Sequence, residues 1–347
     1  MKKLITIAAA LVALVVAGSA SAAHRDAPSS AVYALTNAAV GNGVAYFQNG
    51  SLVATFGTGG LGTGSGLGSQ GAVTASHDLL FAVNAGSDSI SEFQVKKDDL
   101  KLLRVFSSNG VRPISVAVHD DVLYALNAGS SQITGFSIEG KGNVKPIAGS
   151  TQPLLGSGPA EVAFSSDGRQ LVVTEKTTST LDVYPIRDGR AQAGVSTPSA
   201  GATPFGFAFD SQGRAFVSEA AGSASSYTVD NAGAHLITGP VATNQAAPCW
   251  LVVTPDGRFA FTANAGGASI SSFAIARDGS ITLVSTLPLG AGAHPLDEGV
   301  SADGSTLYVL VDGRHTVGAY DIGADGSLTP LGEAGGLPAG AIGLATS

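Results

Sequence analysis

Apolar and polar residues alternate along most of this chain with a period of two, and the alternation restarts at a regular spacing. A period of two buries one face of each short run, so the runs read as β-strands. One unit recurs. Phe81-Ala82-Val83-Asn84-Ala85-Gly86 leads into Ser89-Ile90-Ser91-Glu92-Phe93. Tyr124-Ala125-Leu126-Asn127-Ala128-Gly129 leads into Gln132-Ile133-Thr134-Gly135-Phe136, and Phe261-Thr262-Ala263-Asn264-Ala265-Gly266 into Ser269-Ile270-Ser271-Ser272-Phe273. Weaker copies start at Tyr33, Val172, Phe216 and Tyr308, so that starts lie 43 to 48 residues apart. That is the length of one four-stranded propeller blade.

Each unit opens with a strand such as Ala160–Phe164. A hairpin turn follows, Asp167-Gly168, Asp256-Gly257 or Asp303-Gly304. The second strand ends in an Asn-Ala-Gly type turn, the third in an aromatic residue, and a variable fourth strand completes the unit. Thirteen Phe and Tyr residues fall on the second and third strands and are expected to pack between blades, not against a ligand. Pro338–Leu344 reads as an inner strand without a second strand, while the segment from Ala31 has second and third strands but no first. Joined, they make one blade. The chain is therefore predicted to be an all-β, seven-bladed β-propeller closed by pairing of its N- and C-terminal strands, which leaves no open sheet edge. Gly57 to Gly68 reads as a loop, because no Lys and no helix follow it as a phosphate cradle requires.

Composition fits this plan. The chain holds 47 Gly, 44% hydrophobic residues and 13% charged ones, enough apolar surface for a core. Cys249 is the single thiol, so no internal disulfide forms, and it reads as a small buried apolar residue. The net charge of −8 comes without a basic cluster, which excludes nucleic acid and anionic membrane surfaces as partners. Residues 1–23 read as a signal peptide: Lys2 and Lys3, the apolar stretch Ile5 to Val16, then Ala20-Ser21-Ala22. The stretch is short for a membrane anchor. Residues 24–347 form the propeller, a monomer expected in the periplasm or outside the cell.

The Ser/Pro-Asp-Gly-Arg turns, Ser166–Arg169 and Pro255–Arg258, together with the Asn-Ala-Gly turns, give the mature chain a resemblance to the lactonase-type seven-bladed propellers. That family includes 6-phosphogluconolactonase, the carboxymuconate-cyclising enzymes and the Tyr-Val-Thr-Asn repeat propellers. The resemblance implies the fold and points to lactone chemistry. Catalytic members are expected to carry Pro-Arg-His at the start of an inner strand and an Asn-Glu turn after its partner. Here the segment is Gly158-Pro159-Ala160-Glu161 and the turn Thr174-Glu175, and no inner strand begins Pro-Arg-His. A sugar-phosphate lactone is accordingly not the expected substrate.

Inner strands of a propeller run the same way, so the residues that begin them share one face with the turns between second and third strands. That face is expected to gather Arg112, Glu161, Glu175, Glu219, Trp250, Asn264, His294, Asp297 and Glu298, opposite the Asp-Gly turns. Three readings remain open. Glu161 or Asp297 activates water while Arg112 or His294 polarises a lactone carbonyl, with Glu175, Glu219, Trp250 and Asn264 binding the substrate. Alternatively, Glu161, Glu219, Asn264 and Asp297 supply oxygen ligands to Ca²⁺. In the third reading the ring is a non-catalytic scaffold that binds a small molecule or a protein partner.

Overall fold

The computed structural model describes residues 30–347 except Asp98; the expected leader lies outside these residues. Seven antiparallel sheets form the ring. From the axis outward, blade 1 is Val73–Ser76, Leu79–Asn84, Ser89–Lys96 and Asp99–Ser107. The inner strands of blades 2 to 6 are Pro113–His119, Pro159–Phe164, Pro204–Phe209, Pro248–Val253 and Pro295–Val300. Blade 7 is shared as expected: Ile342–Thr346 pairs antiparallel with Val32–Leu35, followed outward by Gly43–Gln48 and Ser51–Gly57.

The thirteen aromatics sit between blades, each no more than 6% exposed. Several also tie blades by hydroxyls. Tyr124 donates to the Gly189 carbonyl at 3.0 Å and accepts from the Ala191 amide at 2.6 Å. The Asp-Gly turns are held by their own carboxylates. Asp167 accepts from Ser165 Oγ and the Arg169 amide, and Asp303 from Ser301 and Ser305.

One feature of the inner strands shapes the site. In blades 2 to 6 the pairing to the second strand slips by a bulge just after the opening proline. The residue before that proline has positive φ in every case: Arg112, Gly158, Thr203, Ala247 and His294. A bulge redirects side chains, so the residue two after each proline lies at one depth around the axis. Those residues are Ser115, Glu161, Gly206, Trp250 and Asp297.

Candidate functional site

Within this ring of residues lies a segment that the repeat pattern does not contain. The loop between Ser51–Gly57 and Val73–Ser76 turns inward, and Ser69-Gln70-Gly71 runs through the axial channel. Ser69 Oγ donates to the Ile114 carbonyl and the Gln70 amide to the Ala160 carbonyl, while the Val116 amide donates to the Gly71 carbonyl. The Gln70 carboxamide accepts from the Leu251 amide at 2.9 Å and donates to the Leu251 and Phe207 carbonyls at 2.9 and 3.4 Å. Trp250 Nε1 donates to the Ser69 carbonyl at 3.0 Å. A segment bonded to inner strands of blades 2, 3, 4 and 5 can lie only on the axis. Gly206 makes room for it: a Cβ there would stand 2.1 Å from Gln70 Oε1.

Two carboxyl groups, Glu161 and Asp297, lie beside this segment, and Glu298 is buried next to Asp297. Glu161 Oε2 accepts from the Phe207 amide at 2.6 Å. Asp297 and Glu298 bury all four of their carboxylate oxygens without a hydrogen-bond partner of good geometry. All three residues are at most 5% exposed. Burial holds Glu161 and Glu298 well above the usual carboxylate range, and repulsion by Asp297 adds to it. Burial also pushes Asp297 up to about 7, opposed by the nearby Gly343 amide and Trp250 indole. The axis thus carries two carboxyl groups whose burial favours their protonated forms, one of them pushed up to about 7.

Of the residues expected to meet at one mouth, the structure brings together Glu161, Asp297 and Trp250. Arg112 and His294 are exposed at the rim and touch neither carboxyl. The Arg112 amide bonds Asp88, its guanidinium makes no bond among the described residues, and His294 Nδ1 lies 3.5 Å from Asp312. Glu175, Glu219 and Asn264 are fully buried at the ends of second strands; Glu219 and Asn264 bond locally, while both Glu175 oxygens lack a hydrogen bond of good geometry. Glu219 accepts from Ser199, Ser223, Ser225 and the Gly201 amide. Asn264 Nδ2 donates to Ser269 and Ser271. Burial and the neighbouring Asp182 push Glu175 up to about 8. The four expected Ca²⁺ ligands are consequently not gathered: Glu219 and Asn264 spend their polar atoms locally. Among the described residues no group of three or more His, Cys, Asp or Glu is arranged to hold a metal.

The family profile "Lactonase, 7-bladed beta-propeller" matches residues 72–221 and 215–299. The chain belongs to the seven-bladed β-propeller lactonase family. Solved structures agree on the fold. A Bacteroides fragilis protein provisionally named a 6-phosphogluconolactonase is 17% identical, with a TM-score of 0.71 over 92% of this chain and 98% of its own. A similarly named Bacteroides uniformis protein is 15% identical, with a TM-score of 0.72 over 92% and 100%. The periplasmic gluconolactonase of Pseudomonas aeruginosa is 19% identical, with a TM-score of 0.60 over 74% and 82%. No curated protein matches the sequence.

Two residues of this lactonase propeller escape sequence reasoning. Gln70 lies in a glycine-rich loop with no period to mark it. Lys176 follows Glu175, bonds the Gly68 carbonyl and stands 4.9 Å from the Phe205 ring centroid. Burial lowers its pKa, and repulsion from Arg112 lowers it further. Cys249 is buried as expected, and burial pushes its thiol up to about 12, so it supplies no thiolate. The residues at the proline end of the inner strands are buried. The last two residues of Pro159–Phe164, Pro204–Phe209 and Pro248–Val253 are partly exposed, so the accessible depth lies towards the Asp-Gly turns. Among the described residues no helix is long and apolar enough to cross a membrane.

Proposed function

We propose that this chain opens lactone rings at the axis, with Asp297 as general base and Glu161 as general acid. The observation that carries the reading is the pair itself: Asp297 makes no hydrogen bond of good geometry and is pushed up to about 7 by burial, while burial and Asp297 together hold Glu161 beside it well above the usual carboxylate range. Two carboxyl groups whose environments separate their protonation states suit acid–base work at neutral pH. Asp297 takes a proton from water as the water oxygen bonds to the lactone carbonyl carbon. The ring C–O bond breaks, and the departing oxygen takes the Glu161 proton. The product is a hydroxy acid, and a proton passes back from Asp297 to Glu161. The leader residues support work outside the cytoplasm.

A second reading is supported by Ser69-Gln70-Gly71 itself. A channel filled by the chain's own backbone suits a rigid scaffold that binds a partner at its rim, where Arg112 and His294 are exposed. A hydrolysis screen of the mature protein against γ-, δ- and aromatic lactones separates the two. Turnover that is lost in Asp297→Asn supports the enzyme; no turnover of any lactone supports the scaffold.

A further inference from the structure

We propose that Gln70 is a displaceable stopper, and that the native protein opens at Ser69-Gln70-Gly71, without unfolding its blades, to admit solvent and ligand to Glu161 and Asp297. The proposal deepens the lactonase reading and rests on the axial pair being the reacting site, although its test does not require turnover.

Three observations lead here. First, the socket is built for a planar amide. The Leu251 amide and the Leu251 and Phe207 carbonyls match one acceptor and two donor positions of the Gln70 carboxamide, and Gly206 leaves the close approach that the oxygen needs. Second, the segment is separate from the strands it touches. It is not a strand of any blade, and its bonds to the ring are a few single hydrogen bonds to four blades, not a ladder. Removing it breaks no strand pairing. Third, what lies behind it is costly to keep shut. Glu161 and Asp297 are buried beside it, and both Asp297 oxygens lack a hydrogen bond of good geometry; a poorly partnered buried polar group loses the hydration that opening restores. The closed state is stabilised by the stopper's bonds and destabilised by these carboxyl groups, so opening requires less than global unfolding. Gln70 also faces Glu161 and favours its charged form. It acts on the pair as a positioning residue as well as a barrier.

Site-resolved hydrogen exchange on the mature protein tests this, together with carbodiimide-plus-amine labelling of Glu161 and Asp297 read by mass spectrometry. The Leu251 amide, whose acceptor is the Gln70 side chain, should exchange at least about tenfold faster than the amides of the adjacent strand Phe259–Asn264, because sub-global opening precedes global unfolding. Gly206→Ala should expel the carboxamide and raise labelling of Asp297 at least about tenfold, if opening limits access. Gln70→Ala, which adds no volume, should do the same and covers the case in which Gly206→Ala fails to fold. Gln70→Glu should keep the segment but shift the pH at which labelling sets in, which simple bracing of the ring would not do. The proposal is overturned if Leu251 exchanges together with the blade amides, or if Gln70→Ala leaves the labelling of Glu161 and Asp297 unchanged. If the variants open and label but no variant hydrolyses a lactone, the stopper stands and the acid–base reading fails.

Discussion

The Trp250 indole N–H and the Ser69 carbonyl, 3.0 Å apart, join residues 181 positions apart in sequence and fasten the chain's only tryptophan to the loop that enters the channel. The indole is 5% exposed and packs against Phe205 at 5.0 Å between ring centroids. Trp250→Phe keeps most of the packing and removes the donor. It should cost about 1–3 kcal/mol in urea unfolding, because a buried carbonyl loses its partner. An unchanged midpoint would show that the loop is not held from this side.

Stability should fall as pH rises from about 5 to 8. Asp297, titrating near 7 in the folded chain, and Glu175, near 8, both have pKa values above their unfolded ones; Glu161 and Glu298 shift the same way. Across that window the folded state holds protons that the unfolded state has released. Each such group therefore reduces stability with rising pH, by up to about 1.4 kcal/mol per unit. Asp297→Asn should flatten the slope. Thermal unfolding between pH 5 and 8 measures it, and a stability that rises with pH would contradict the assignment.

Glu175 and Glu219 occupy equivalent positions but should respond differently to amide replacement. Glu175 holds a proton against Asp182, so Glu175→Gln, whose NH₂ takes over that donation, should change stability by less than about 1 kcal/mol. Glu219 accepts from three hydroxyls and an amide. Glu219→Gln turns a donor towards donors and should cost about 1–3 kcal/mol. Equal effects in denaturant titrations would refute the difference in hydrogen bonding.

Deleting residues 337–347 removes the inner strand of blade 7 and the buried side chains of Leu337, Ile342 and Leu344. The loss should reach about 5 kcal/mol or more and leave an open β edge. Circular dichroism melts and sedimentation of the truncated chain would show it; a melt like the parent's would rule out a closing role.

The blades are legible because each carries the same signal seven times: period two, an Asp-Gly turn and an aromatic at a set place. Their count, closure and aromatic packing follow from residues such as Phe81, Asp167 and Ile342. Glu161 and Asp297 are legible as neighbours because both stand two residues after an inner-strand proline. The expectation that Glu175, Glu219 and Asn264 face the mouth is harder to sustain from sequence. Ser89 and Ser91 follow Asn84, Ser223 and Ser225 follow Glu219, and Ser269 and Ser271 follow Asn264. These hydroxyls mark Asn84, Glu219 and Asn264 as hydrogen-bonding nodes within a blade. Gln70 has no such marker. Its place depends on Gly206, 136 positions away, and on backbone groups of other blades, which no local pattern encodes.

The pH dependence of lactone hydrolysis, in the parent and in Asp297→Asn, distinguishes acid–base catalysis at the axis from an inert ring. If Asp297 is the base and Glu161 the acid, kcat/KM for a lactone identified by screening rises as Asp297 ionises near pH 7. The proposed roles require it to fall again once Glu161 loses the proton that it donates. Asp297→Asn then loses at least about 100-fold in kcat/KM and the rising limb disappears. A variant that hydrolyses the lactone at the parent's rate, with the same rising limb, would contradict the account.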